Sequence, residues 1–172
     1  MSWQMRVSSK RSASGVSANN SFINSLEASL SGYTMARAAI PNSSERVKIL
    51  SSETSYTYLK PFYAECMEHH EESYVMFLNR ANKALGISLI SKGGMAETVM
   101  DVKIILQTAL KVHASGIVLS HNHPSGNLRP SEPDKKITTK INEACKVLDL
   151  HLLDHIILTE ESYYSFADEG LL

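Results

Sequence analysis

The residues most able to do chemistry lie between Gly116 and Asp134. The apolar run Gly116-Ile-Val-Leu-Ser120 delivers His121-Asn122-His123. In an extended chain alternate side chains share a face, so His121 and His123 can point at one common spot. Two imidazoles converging at a strand end suit a divalent metal of the zinc type. Pro124 and Gly126 then turn the chain, and Asp134 follows at the mouth of a helix. A carboxylate there can be a third ligand. Three protein ligands leave a tetrahedral ion one position for water, which is the layout of a catalytic ion rather than a structural one. The expected cofactor is therefore Zn2+, held by His121, His123 and Asp134.

The same residues have plainer readings. Ser131-Glu132-Pro133-Asp134 is also a helix start, with Ser131 as N-cap and Asp134 at the capping-box position. Ser131 is compatible with both jobs. His69 and His70 read as the polar end of a helix and its loop. Asn127 and Arg129 read as solvated loop residues. For Asp154-His155 two readings stand side by side: support for a metal site, or a structural hydrogen bond. Cys66 and Cys145 fall on inward helix faces as small apolar residues.

These groups need a scaffold. Arg46–Leu50 reads as an entering strand and Ser51–His69 as a helix capped by Ser51 or Ser52, with Pro61 as a blemish. Ser73–Leu78 is β-branched and aromatic, a buried strand. Leu85–Ile90 returns from the turn Asn79–Asn82, and Gly93-Gly94 ends it. Asp101–His113 carries a helical apolar stripe, Gly116–Ser120 is a core strand, Asp134–Leu148 is a second strong helix and His151–Thr159 is another strand. The aromatic end, SYYSFADEGLL, is expected to pack back on the body. Alternating strands and helices argue for a mixed sheet covered by helices.

Composition sets the bounds. The chain has 172 residues, 43% hydrophobic and 20% charged. That suits one domain with a real core plus a tail, and is too short for a (β/α)8 barrel. Residues 1–45 are rich in Ser, Ala and Asn, so they read as a largely disordered tail, with one short amphipathic helix conceivable at Phe22–Leu30. Residues 46–172 read as the compact domain. Basic and acidic residues number 17 and 18, and no basic stripe marks a nucleic-acid face. Two cysteines, neither in a C-x-x-C pair, fit a reducing cytosol. No apolar run approaches a membrane span and no secretory signal is apparent, so a cytoplasmic location without membrane contact is expected.

His121, His123, Ser131 and Asp134 sit at the offsets of the JAMM motif, amid the words HNHPSGNLRPS, LDHIIL and YYSFADEGLL. On these the sequence resembles the JAB/MPN metalloprotease family and, within it, the RadC proteins, over about residues 46–172. The resemblance implies an α/β fold: a mixed β-sheet flanked by helices on both faces, a three-layer architecture like that of cytidine deaminases. It also implies a glutamate just before a strand near the metal. The register of Glu71-Glu72-Ser73-Tyr74-Val75 matches Glu71 to it, although Ser73 stands where an aromatic is usual. Adjacent strand residues face opposite sides, so only one of Glu71 and Glu72 reaches the metal water.

The implied chemistry is hydrolysis of a peptide or isopeptide bond. The metal acidifies water, Glu71 takes its proton and returns it to the leaving amine, and Ser131 helps stabilise the oxyanion. Glu71 and Ser131 are thus the implied catalytic residues, and a peptide or protein of unknown identity the implied substrate. A function of another class is a DNA-repair or DNA-processing role, since RadC proteins are named for repair and a His/Asp metal site suits a nuclease. The charge balance gives it no support. A metal-free MPN scaffold would have lost ligands that this chain keeps. A base deaminase needs H-x-E and C-x-x-C, both missing.

Overall fold

The computed structural model describes residues 28–30, 33–35, 44–93 and 100–172. Ala28–Leu30 (β1) pairs antiparallel with Tyr33–Met35 (β2). Then follow α1 (Ser52–Leu59), a 3-10 turn (Lys60–Tyr63), β3 (Glu72–Leu78), β4 (Ala84–Lys92), α2 (Val102–Lys111), β5 (Gly116–Asn122), α3 (Glu132–Val147), β6 (His151–Leu158) and β7 (Tyr163–Ser165). Five strands make one sheet in the order β4-β3-β5-β6-β7. Only β5 and β6 run parallel, and α3 is the crossover that a parallel pair requires. The sheet is mixed, as expected.

Strand alternation divides the core in two. Met76, Leu78, Val118, Ile156 and Leu158 face one side, where Leu59 and Tyr63 cover them. Val75, Phe77, Ile117, Leu119 and Leu152 face the other, against Ile105 and Ala109 of α2 and Ile141 and Cys145 of α3. Helical segments therefore cover both faces, one layer on each side of the sheet. The aromatic C-terminal segment packs back as expected: β7 lies beside β6, and the Phe166 ring is buried.

Several sequence expectations need correction. Arg46–Leu50 makes no strand; it touches the sheet through a single bridge, Lys48 to Lys83, and through Ile49 N–H donating to the Asn82 carbonyl at 2.8 Å. The helix expected over Ser51–His69 stops at Leu59 and tightens into the 3-10 turn. Pro61 has no N–H to donate, and its ring crowds the carbonyl four residues back, so the α-helix cannot run through it. Ser51 is the cap, in a capping box completed by Thr54 rather than an acid. Cys66 consequently lies in the turn after this segment and not on a helix, though it is buried as expected. The helix expected over Phe22–Leu30 lies outside the described residues except for Ala28–Leu30, whose backbone pairs with β2 as strand. Of the rest of the tail 1–45, only Tyr33–Met35 and residues 44–45 are described. Gly94 lies outside the described residues, whereas Gly93 follows the end of β4.

Burial pushes the Cys66 thiol up to about 12, helped by the charge of Glu72, and the Cys145 thiol up to about 11. Both remain thiols. Among the described residues no helix is long and apolar enough to cross a membrane.

Glu72 is a buried carboxylate tied deeply into this scaffold. Tyr74 OH donates to its Oε2 at 2.7 Å, while His70 Nε2 and Lys92 Nζ lie 2.8 and 3.0 Å from its Oε1. Burial opposes ionisation, but these donors win and hold the carboxyl below its ordinary range. A depressed folded pKa adds stability above the unfolded value of about 4.3, and that stability is lost as pH falls through the folded value. Glu72→Gln should therefore be less stable than wild type to denaturant near pH 7, with the gap closing as pH falls below the ordinary carboxylate range of about 4. Equal stability at pH 7, or a gap indifferent to pH, would refute this role for the carboxylate.

Candidate metal centre

The end of β5 places its two histidines as alternation requires. His121 is buried and His123 half-buried, with their Nε2 atoms 3.0 Å apart. Asp134, in the first turn of α3, brings Oδ1 to 3.4 Å from His121 Nε2 and Oδ2 to 3.8 Å from His123 Nε2. One ligand atom from each of the three lies within 4.8 Å of the others. Tetrahedral ligands about 2.1 Å from an ion sit about 3.4 Å from one another, so two imidazole nitrogens and a carboxylate at these spacings fit a small divalent ion.

Local structure fixes each of them. Gly126 N–H donates to the His123 carbonyl at 3.0 Å and closes the turn begun by Pro124; its φ of 74° is the left-handed conformation that glycine adopts without strain. The turn brings the Asn127 carbonyl to 2.6 Å from His123 Nδ1, so Asn127, expected as a solvated loop residue, touches the site through its backbone. Arg129 N–H donates to Asn127 Oδ1 at 3.0 Å.

Ser131 is the N-cap of α3: its Oγ accepts from Asp134 N–H at 3.2 Å and donates to Asp134 Oδ2 at 2.6 Å. The cap reading and the proximity to the site both hold. Burial alone would raise the Asp134 pKa. The adjacent His121 imidazole, together with the Ser131 hydroxyl and N–H, overcomes it and holds the carboxyl well below the usual carboxylate range.

Behind the histidines stands His155, fully buried, its ring stacked on Phe166 with centroids 4.8 Å apart. Its Nε2 lies 2.9 Å from His121 Nδ1, and its Nδ1 lies 2.6 Å from Thr138 Oγ1. Burial keeps the ring neutral, well below the ordinary histidine pKa. Asp154 turns elsewhere. It accepts from Ser165 Oγ at 2.7 Å and from the N–H groups of His155 at 2.7 Å and Ala167 at 3.1 Å, tying β6 to the C-terminal turn. The two open readings of Asp154-His155 thus divide between the residues, structure for Asp154 and the site for His155. Nothing in the sequence singled out Thr138; its signal is a polar residue four positions after Asp134 on the buried face of α3.

Alternation also separates the two glutamates. Ser73 pairs directly with His121 across the β3–β5 ladder. Glu72 faces the opposite side with Tyr74; Glu71 precedes the first residue of β3, and alternation continued by one residue would set it on the face of Ser73. Ser73 Oγ is buried without a hydrogen-bond partner on the His121 face. A buried orphan hydroxyl costs about 1–3 kcal/mol, which favours a polar guest there.

Asn122, between the two histidines, was also missed. Fully buried on the far face, its Nδ2 donates to the carbonyls of Cys66, Met67 and His70 at 3.2, 3.1 and 2.9 Å, and its Oδ1 accepts from Glu72 N–H at 2.8 Å. It pins the segment leading into β3, and with it Glu71, to the strand that carries the histidines. A second group on that face, Cys66, His70 and Glu72, also has metal-ligand chemistry, but the Lys92 ammonium already serves as its cation.

The family model described as RadC-like JAB domain matches residues 49–171. A UPF0758 protein of Flavobacterium johnsoniae is 48% identical over 124 residues, covering 72% of this chain and 53% of the relative. One from Porphyromonas gingivalis is 41% identical over 128 residues, 74% of this chain and 56% of its own length. A third, from Aquifex aeolicus, is 34% identical over 127 residues, 74% and 54%. The chain spans about half the length of the curated relatives it matches.

The Asn122 amide generates a prediction of its own. Asn122→Asp replaces two N–H donors by an acceptor facing three carbonyl oxygens. It should lower unfolding free energy by about 2–4 kcal/mol in denaturant titration near neutral pH. A loss below about 0.5 kcal/mol would show that the amide does not hold the segment.

Proposed function

The chain belongs to the RadC-like JAB domain family, which supports a metal-dependent hydrolase, and from that premise we propose that residues 46–172 form a zinc-dependent hydrolase of peptide or isopeptide bonds. The observation that carries this reading is the convergence of His121, His123 and Asp134. Zinc held by these three supplies an acidified water and a positive charge for the developing oxyanion.

The chain's own groups do the rest. Glu71, one residue before β3, accepts the proton of the attacking water and delivers it to the leaving amine. The Ser131 hydroxyl, next to Asp134 Oδ2, turns its proton toward the oxyanion; one such donor is worth about 3 kcal/mol. Asp134 stays ionised because His121 and Ser131 hold it so despite its burial. The substrate in this reading is a peptide or protein. The even charge balance lends a nucleic-acid substrate no support. Two free buried thiols agree with a reducing cytoplasm.

Two experiments test this. The purified full chain should carry about one equivalent of zinc by elemental analysis, and His123→Ala far less. Wild type that neither retains nor rebinds zinc, or His121→Ala and His123→Ala proteins that bind it undiminished, would overturn the site. Separately, Glu71→Gln should keep its zinc and lose about 10²–10⁴-fold in turnover of a model peptide, because Gln hydrogen-bonds water but cannot take its proton. Glu72→Gln, once shown to be folded, should keep turnover near wild type. Full activity of Glu71→Gln would move the base to another residue, with Glu65, Glu68 and Glu97 as the carboxylates closest in sequence to try, the last of them outside the described residues.

A further inference from the structure

The hydrogen bonds behind His121 form a row whose proton order can be read from its far end. Thr138 Oγ1 lies 2.6 Å from the carbonyl oxygen of Asp134. A carbonyl has no proton to give, so the hydrogen between these two oxygens belongs to the threonine. Thr138 has no second one, and therefore accepts from His155 across the 2.6 Å contact; His155 Nδ1 carries a proton. His155 is fully buried and bonded only to a hydroxyl and another imidazole, so a second proton, and the charge it brings, is disfavoured. Its Nε2 is then bare and accepts from His121 Nδ1–H at 2.9 Å. That leaves His121 with its lone pair on Nε2, the atom facing His123 and Asp134. The same logic applies independently to His123, whose Nδ1 must donate to the Asn127 carbonyl at 2.6 Å.

We propose that Thr138 and His155 are positioning residues that set the tautomer of His121 before any ion arrives, with the Asp134 backbone carbonyl as the anchor of the row. The row closes on itself. Asp134 offers its carboxylate to the ion-binding side of His121, and its carbonyl, through Thr138 and His155, fixes the other side of the same ring. The start of α3 thereby delivers a ligand and prepares a second one in a single placement. The competing tautomer, with the proton on His121 Nε2, would put an N–H where an ion needs a lone pair and leave His121 Nδ1 and His155 Nε2 bare at 2.9 Å; the tautomer set by the row instead leaves His121 Nε2 and His123 Nε2 bare at 3.0 Å beside the Asp134 carboxylate, the place a cation would take. The ligating role of His121 rests on the function proposed above; the tautomer does not, and the two are separable by experiment.

The test is long-range 1H–15N correlation on the metal-free full chain with 15N-labelled histidine, at about pH 8 where free imidazoles are neutral. His121→Gln and His155→Gln assign the signals. Wild type should show His121 and His155 each protonated at Nδ1. Thr138→Val, nearly the same shape without the hydroxyl, should release His121 into a tautomer mixture and weaken zinc affinity about 10–100-fold in competition with a chromophoric chelator. Thr138→Ser, which keeps the hydroxyl, should restore both; a merely structural loss of packing would lower the melting temperature without moving the tautomer. His121 protonated at Nε2 in the metal-free wild type overturns the proposal even if zinc binds. So does a folded Thr138→Val protein with unchanged tautomer and affinity, or a folded Thr138→Ser protein that restores neither. If wild type binds no zinc yet His121 is protonated at Nδ1, the row stands and the zinc reading falls.

Discussion

Asn122 is the residue on which the site's geometry hangs, because three consecutive positions of β5 must serve two sides of one sheet. A strand sends alternate side chains to opposite faces. His121 and His123 therefore share the face lined by α3, and Asn122 is left on the other. There it uses both ends of its amide, gathering three carbonyls of the segment before β3 and holding the N–H of Glu72. The β3–β5 ladder then carries that constraint back through the sheet, with Ser73 directly opposite His121. One strand thus sets the histidines directly and places the glutamate pair through the asparagine between them.

The two faces divide the labour in chemical terms. On the α1 side the polar groups neutralise one another: Glu72 has Tyr74, His70 and Lys92, and Cys66 is held as a thiol. On the α3 side they are left poised. Two imidazoles and an ionised carboxylate face each other at 3.0–3.8 Å, and Ser73 keeps a buried hydroxyl without a partner. Buried polar atoms without partners are rare in native structures, and the one found among the described residues, Ser73 Oγ, lies opposite His121.

Helix α3 acts as more than a crossover between parallel strands. Its N-cap serine orients Asp134, and the apolar residues Ile141 and Cys145 seat its buried face against the sheet. One turn after the cap, Thr138 meets His155 of β6. Strand order puts β6 next to β5, so His155 stands at His121's back from the neighbouring parallel strand. The capping motif that begins the helix and the polar row that backs the site are therefore products of the same packing event.

The sequence by itself determined the alternating run into His121-Asn122-His123, the cap at Ser131 and the helix it starts. It also determined the strong periodic helices and strands within a residue or two, because local spacing and turn chemistry carry that information. The family resemblance pointed to Glu71, and a two-residue period separates it from Glu72, since adjacent strand residues face opposite sides. Where a single rotamer or a long-range pairing decides, the sequence was silent. The expected strand at Arg46–Leu50 found no ladder beyond one bridge, and the expected helix over Ser51–His69 broke at a proline that local pattern could weigh but not place. The side-chain hydrogen bonds of Asn122, Thr138 and His155 reach partners 17 to 56 residues away in sequence, apart from Thr138's bond within its own helix. Those contacts exist only once β3, β5, β6 and α3 are packed, and a linear pattern does not encode where a buried hydrogen bond will end.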